Sequence, residues 1–372
     1  MSRPAAYAII MAGGWGERMW PLATPRRPKP TLKLPGSSRS LLAATIESVT
    51  PVVPHGHVYV AADGGTAQAL LDLDPDLTGD RLLVEPLRRD TAGCVVYALA
   101  RLLAAGAPEG SVVGFLASDS LMPDTSGFTV ALSRAYEAAA SSRCLVCIGV
   151  RPSRADTALG YLELDLAEGQ PAQAGTVLPV RRFVEKPDAA TAQQHLLSGR
   201  HLWNMGTVVG QIGAFRSAMS AVATDLEAAM DAAVAALRED DAERVRAALE
   251  PIEPRSIDYA LLENAELAAV VADIAWDTLS GWEAMSRAVG TDMQGNALSG
   301  APLLTDVTDS LVYVDPSAST QRVAVVGVSG LAVVVTAEGV LVMPKDRAQD
   351  LRGVVEATRE GVRIRIAHRE RG

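Results

Sequence analysis

Apolar residues come in short, largely β-branched runs at positions 7–11, 57–61, 82–85, 112–116, 145–150 and 161–164, which predicts buried strands. Between several of these runs the apolar spacing lengthens to three and four residues, which predicts helices over 41–49, 91–105 and 128–140. Strands alternating with helices imply an α/β unit with a Rossmann-like, mostly parallel sheet and helices on both faces. In such sheets a ligand settles beyond the carboxyl ends of the strands, where the connecting loops lie.

The pattern changes twice further on. Residues 226–249 are alanine-rich and charged, and predict one or two exposed helices. After about position 289 the helical spacing stops, and runs such as SLVYV, RVAVVGV, LAVVVT and GVLVM alternate with Gly, Ser, Thr and Asp. Short strands at near-regular spacing predict a small all-β unit, either a β-solenoid or a sandwich. The expected division is 1–290 and 291–372, with a final helix over 346–359.

Composition narrows the class of partner. No apolar run of the 372 residues approaches the roughly 18 that a membrane helix needs. The opening MSRPAAYAII runs straight into a strand without a cleavage site, so a cytoplasmic protein with no membrane partner is expected. Lys plus Arg total 34 against 44 Asp plus Glu, a net charge of −10. That balance argues against nucleic acid while allowing a local basic pocket for a small polyanion. Of three cysteines, with Cys94 alone, Cys144 and Cys147 form C-x-x-C, but neither a second pair nor a histidine cluster completes a metal site, so the two read as core residues.

The candidate chemistry begins in YAIIMAGGWGERMWPL. A P-loop would need Gly-Lys-Ser/Thr, and a dinucleotide fingerprint would need a third glycine where Met19 stands. What remains is a bare turn or a phosphate loop of another type. Three glycines in four positions can turn backbone N–H groups toward an anion, and Arg18 adds a cation. The next segment, RRPKPTLKL, supplies Arg26, Arg27, Lys29 and Lys33 in a chain that is otherwise acidic.

Taken together, Ala12-Gly13-Gly14-x-Gly16-x-Arg18, Trp20-Pro21-Leu22 and Pro28-Lys29 resemble the opening of sugar-nucleotide pyrophosphorylases, in particular their mannose-1-phosphate guanylyltransferase branch. The resemblance continues in order through Glu85-Pro86 and Arg89-Asp90-Thr91-Ala92, Ala117-Ser118-Asp119-Ser120, and Gly160-Tyr161-x-Glu163. Phe183-Val184-Glu185-Lys186-Pro187, Trp203-Asn204-x-Gly206 and Ser256-Ile257-Asp258-Tyr259 follow. Members of that family carry a small C-terminal domain of left-handed β-helix type, in keeping with the change of pattern after position 289.

The resemblance implies transfer of a nucleoside monophosphate, GMP from GTP, to mannose 1-phosphate, with pyrophosphate leaving. It implies that Ala12, Gly13, Gly14, Gly16, Glu85, Arg89, Asp90 and Thr91 bind the nucleotide, while Arg18 and Lys29 balance charge on the departing pyrophosphate. Lys186 would grip the phosphate of the sugar 1-phosphate, with Gly160, Glu185 and Asn204 on the sugar. Magnesium would bridge phosphate oxygens, held by Asp119 and, second, by Asp277. Bland roles compete: Asp119 and Asp258 as helix caps, Arg18 and Lys29 as solvated cations, Glu185-Lys186 as a surface pair.

The sequence departs from the family pattern in AWDTLSGWEAM, where Thr278 stands in place of a second aspartate and Asp277 comes one residue early. On a strand, that shift turns the side chain to the other face. Asp90 likewise replaces an asparagine, exchanging an amide that can donate for a carboxylate that only accepts. Two further readings follow: the same transfer with another triphosphate or another sugar 1-phosphate, such as a heptose, or a catalytically weak homologue that binds nucleotide sugars. The small β-domain offers a contact for a homodimer. Because the chain ends at Gly372, no isomerase domain and no zinc chemistry are expected.

Overall fold

The apolar runs form strands whose neighbouring residues serve opposite cores. In the computed structural model, which describes residues 4–73, 77, 79–167, 170–351 and 353–355, Ile9 packs into one buried cluster and Ile10 into another. Strand alternation is the reason: successive side chains leave the sheet on opposite faces. Val113 and Phe115 join Ile9, whereas Val112 and Leu116 join Ile10. Both faces are therefore covered, as the continuous apolar runs require.

Strands β1 (Ala6–Met11), β2 (Val58–Asp63), β3 (Leu82–Glu85) and β4 (Val112–Ala117) pair in parallel in the order β3-β2-β1-β4. The sheet continues through β5 (Leu145–Val150), β6 (Tyr161–Leu164), β7 (Val177–Val184), β8 (His201–Gln211) and β9 (Leu267–Ala272). Their order beyond β4 is β8-β5-β9-β7-β6. Strand β8 runs antiparallel to β4, β5 and β6, and β7 runs antiparallel to β9 and β6. With β5 and β9 parallel, only β7 and β8 run against the rest, and the sheet is mostly parallel.

On one face the helix Asp90–Ala104 is buried along most of its length, with Phe115 and Phe215 meeting edge to face at 5.4 Å in the same cluster. On the other face lie helices Leu41–Val49 and Thr125–Ser141; the second starts earlier than the apolar spacing predicts because Asp124 caps it, accepting from Ser126 N. The alanine-rich stretch forms two helices, Thr224–Arg238 and Ala242–Leu249, but they are not simply exposed. Leu226, Met230, Ala233 and Leu249 are buried in the cluster of the Asp90–Ala104 helix, since alanines at helical spacing allow close approach. Cys147 is buried in β5 and Cys144 half-buried before it; both are free thiols.

The chain divides into two compact units, one comprising Met1–Gly13 and Leu42–Asp277, the other Gly14–Leu41 and Thr278–Gly372. This partition departs from a cut at 290. Trp282 opens the helix Trp282–Val289, is fully buried, and stacks at a tilt on Tyr313 at 6.0 Å. It also donates through Nε1 to the Trp20 carbonyl at 3.3 Å, which ties the 14–41 segment to the C-terminal unit. Arg27 Nη1 pairs with Asp315 Oδ2 at 3.1 Å, and Thr336 Oγ1 donates to the Pro21 carbonyl at 3.4 Å.

Within the second unit Ala297–Ser299, Leu311–Val314 and Leu331–Val335 pair side by side in parallel, as do Leu303–Thr305 and Ala324–Val326. Successive parallel rungs around Val307, Val312, Val325 and Val333 make a β-helix and leave no antiparallel sandwich. An antiparallel strand, Val340–Pro344, follows. A 3₁₀ turn, Lys345–Asp350, begins where the terminal helix is expected, and the stretch beyond 355 lies outside the described residues. Among the described residues no helix is long and apolar enough to cross a membrane.

Candidate active site

The first unit gathers acidic residues at the carboxyl ends of its parallel strands. Glu85 ends β3, and a side-chain carbon on Gly13 would lie 3.3 Å from its Oε1, so glycine lets the carboxylate approach the chain leaving β1. Ala12 continues the ladder, donating to the Ala61 carbonyl at 2.8 Å. Asp63 ends β2 and accepts at Oδ1 from Gly65 N at 2.9 Å. Burial, reinforced by the Asp63 charge, pushes the Glu85 carboxyl up to about 7, and the Cys94 thiol donates to it.

Asp90, with a left-handed φ of 54°, opens the neighbouring helix and accepts at Oδ1 from Thr91 N at 2.7 Å. Thr91 Oγ1 accepts from Ile257 N at 2.8 Å, which brings the Ser256–Tyr259 block beside the helix start. Arg89 turns elsewhere: its Nη2 donates to the Glu250 carbonyl at 3.1 Å. Glu85, Asp90 and Thr91 thus share one edge, and the Arg89 guanidinium serves a loop.

The residues expected around the sugar converge. Asn204, on β8, donates its N–H to the Gly160 carbonyl at 2.8 Å. A side-chain carbon on Gly160 would come within 2.5 Å of Glu185 Oε2, so only glycine admits that carboxylate. Glu185 pairs with the ammonium of Lys186, which has φ 47° and lies 5.8 Å from the Tyr259 ring centre. Desolvation pulls the Lys186 ammonium down, but Glu185, Asp258 and Tyr259 outweigh it and hold it above its ordinary value. Asn204 Nδ2 in turn donates to Asp258 Oδ1 at 3.2 Å.

Asp119 stands in the turn just past β4. Its neighbour Ser120 accepts at Oγ from Trp276 Nε1 at 3.2 Å, which ties the two segments carrying Asp119 and Asp277. Asp277 Oδ1 lies 3.0 Å from Arg154 Nη2, so that carboxylate carries a guanidinium. Hard carboxylate oxygens suit magnesium, which takes one or two of them and fills its remaining positions with water and phosphate. Asp277 offers its carboxylate less readily with Arg154 against it. Among the described residues no group of three or more His, Cys, Asp or Glu forms a cage for a metal.

In the second unit the loop after Gly13 is held by its own segment. Gly14 and Gly16 have φ of 81° and 87°, and a side-chain carbon on Gly16 would fall 2.6 Å from Lys29 Cβ. Lys29 N donates to the Trp15 carbonyl at 2.9 Å and Lys29 Nζ to the Leu279 carbonyl at 3.3 Å. Arg18 is exposed in the 3₁₀ turn Glu17–Met19. Gly16 thus makes room for the Lys29 side chain.

Sequence reasoning missed Arg154, whose guanidinium lies 4.7 Å from the Trp203 ring centre, and left a helix-cap role for Asp258 undecided. No local pattern marks Arg154, since its partners Asp277 and Trp203 are distant in sequence.

The nucleotidyl transferase family matches residues 7–279, and the mannose-phosphate isomerase/GMP-like beta-helix domain matches residues 304–357. A mannose-1-phosphate guanylyltransferase of Escherichia coli K12 is 31% identical over 389 aligned positions, covering 100% of this chain and 77% of the relative. The xanthan biosynthesis protein XanB of Xanthomonas campestris (strain ATCC 33913) is 32% identical, covering 93% of this chain and 72% of its own. A Thermus thermophilus crystal structure, described as a mannose-1-phosphate geranyltransferase, superposes with TM-score 0.80 at 32% identity, covering 95% of this chain and 99% of that one.

Proposed function

This chain belongs to the nucleotidyl transferase family, and on that premise we propose that it transfers GMP from GTP to mannose 1-phosphate, giving GDP-mannose and pyrophosphate. The observation that supports this most is the convergence of Gly160, Glu185, Lys186 and Asn204, a cation beside hydrogen-bonding groups, in a chain similar to guanylyltransferases over its whole length.

A phosphate oxygen of the sugar 1-phosphate attacks the α-phosphorus in line; the new P–O bond forms as the bond to the pyrophosphate oxygen breaks. Two anions must meet, so the protein's task is charge compensation and positioning. Lys186 leaves Glu185 for the sugar phosphate, and Glu185 then accepts from sugar hydroxyls. Arg18 and Lys29 compensate charge on the pyrophosphate, and the glycine loop offers N–H groups to the triphosphate. Magnesium, when bound, neutralises phosphate charge, with Asp119 as its carboxylate. A cytoplasmic location and a homodimer belong to the same reading.

Pyrophosphate release from a panel of triphosphates and sugar 1-phosphates, with magnesium, tests it. GTP with mannose 1-phosphate is expected to be fastest; a different preferred pair, or no release from any pair, overturns it. The Arg154–Asp277 pair favours one second reading, a sugar-nucleotide-binding protein of weak turnover, which would bind GDP-mannose tightly without releasing pyrophosphate.

A further inference from the structure

Asn204 has a carboxamide whose direction is fixed from both ends. Its Oδ1 accepts from Gly206 N at 3.2 Å, so the other end is the NH₂ group, and that group donates to Asp258 Oδ1 at 3.2 Å. An amide nitrogen has two protons. Among the described residues the second N–H takes no protein partner, and Asn204 also holds the Gly160 carbonyl at 2.8 Å, beside Glu185.

Asp258 is placed for this by an irregularity of the chain. It opens a π-helix, Asp258–Leu262, closed by Glu263 N donating to the Asp258 carbonyl at 3.0 Å. Single π-turns recur at functional sites because the extra residue re-aims a side chain. From every side Asp258 faces polar or titratable groups: Asn204 on β8, Glu185 and Lys186 past β7, Asp90 at the buried helix, and the Cys147 thiol of β5. The N-cap position of this helix is Ile257, and Asp258 is its first residue.

We propose that Asp258 is a positioning residue of the sugar 1-phosphate subsite, holding the Asn204 amide so that its remaining N–H meets a sugar hydroxyl. The proposal rests on the reading of this site given above. It has a chemical signature: asparagine at position 258 retains an acceptor oxygen for Asn204, whereas alanine retains none. Burial, with the Glu185 charge added and Lys186 opposing, raises the Asp258 carboxyl above its ordinary range.

The test is a kinetic cycle on the full chain with Asp258→Ala, Asp258→Asn, Asn204→Ala and the double alanine variant, measuring KM for mannose 1-phosphate and for GTP separately. Asp258→Ala is expected to raise the mannose 1-phosphate KM about 10-fold with the GTP KM within about twofold, and Asp258→Asn to recover most of the loss. In the double variant, Asp258→Ala is expected to add nothing to Asn204→Ala. Additive effects, equal shifts in both KM values, or an asparagine variant as impaired as alanine overturn the proposal. Calorimetric titration of mannose 1-phosphate into the same proteins separates it from the guanylyltransferase reading. A wild type that binds the sugar phosphate without turnover defeats only that reading, provided the affinities keep the same ranking. A wild type that neither binds nor turns it over defeats both.

Discussion

Arg154 Nη2 lies 3.0 Å from Asp277 Oδ1, and the same guanidinium reaches Asp156 Oδ2 at 2.7 Å. A carboxylate already compensated by a guanidinium attracts a divalent cation less strongly. With Asp119 as the proposed magnesium carboxylate, Asp277 is the weaker of the two acids. Asp119→Asn is expected to lower kcat roughly 100-fold at every magnesium concentration. Asp277→Asn is expected to shift the magnesium requirement only a few-fold. Turnover measured across a magnesium series checks the ranking, and full recovery of Asp119→Asn by added metal contradicts it.

Lys186 is the cation assigned to the sugar phosphate, half-exposed and paired with Glu185. A hydrogen bond to a charged group contributes roughly 1.5–3 kcal/mol. Lys186→Ala is therefore expected to raise the mannose 1-phosphate KM by about 10- to 100-fold. Initial rates at fixed GTP measure this, and the GTP KM should stay within about twofold if the residue serves the sugar half alone.

Gly160→Ala probes the close approach of Glu185. The added carbon would meet Glu185 Oε2 at 2.5 Å and Phe183 Cε2 at 2.7 Å. Phe183 is buried and cannot yield cheaply, so the carboxylate must move. The expected cost is about 1–3 kcal/mol of stability together with weaker use of mannose 1-phosphate. Thermal unfolding and the KM measure the two effects separately.

Much of this architecture is legible in the sequence, and the exceptions share a cause. Strands β1 to β6 announce themselves as apolar runs, but β7 carries Pro179, Arg181 and Arg182 with alternating exposure, and its pattern is diluted. Strand β8 is interrupted by the polar Asn204 and by Gly206, whose N–H bonds back to Asn204 Oδ1, so its apolar pattern is broken. Gly160, Glu185 and Asn204 are brought together as their motifs imply, because short blocks at strand ends carry the geometry with them. The Arg154–Asp277 pair and the attachment of residues 14–41 to the C-terminal unit depend on contacts between distant segments. No local pattern encodes those.

Glu85 gives the stability a pH dependence of known sign. Its carboxyl, ordinarily at 4.5, is pushed up to about 7 by burial and by Asp63, so the folded chain holds a proton that the unfolded chain has lost. The stabilisation is complete below 4.5, falls as pH rises toward 7, and is gone above it. Glu85→Gln keeps an acceptor for the Cys94 thiol and removes the charge. Its melting temperature is expected to exceed the wild type's by a few degrees at pH 8 and to converge with it at pH 5, as unfolding scans at the two pH values would show.

Asp315 links the glycine-rich segment to the β-helix within one unit. Its side chain is 2% exposed, and it accepts from Ser317 N at 2.9 Å and from Arg27 Nη1 at 3.1 Å. Burial works against its charge, but the Ser317 bonds and Arg27 prevail and hold the carboxyl below its ordinary value. Asp315→Ala leaves both donors without this partner and is expected to cost about 2–3 kcal/mol. Asp315→Asn can still accept from Ser317 and should cost less. Because Arg27 lies two residues before Lys29, the alanine variant is also expected to raise the GTP KM several-fold, with a smaller effect on mannose 1-phosphate. Unfolding scans paired with both KM values distinguish a loosened loop from a general loss of stability: a general loss would lower activity toward both substrates alike.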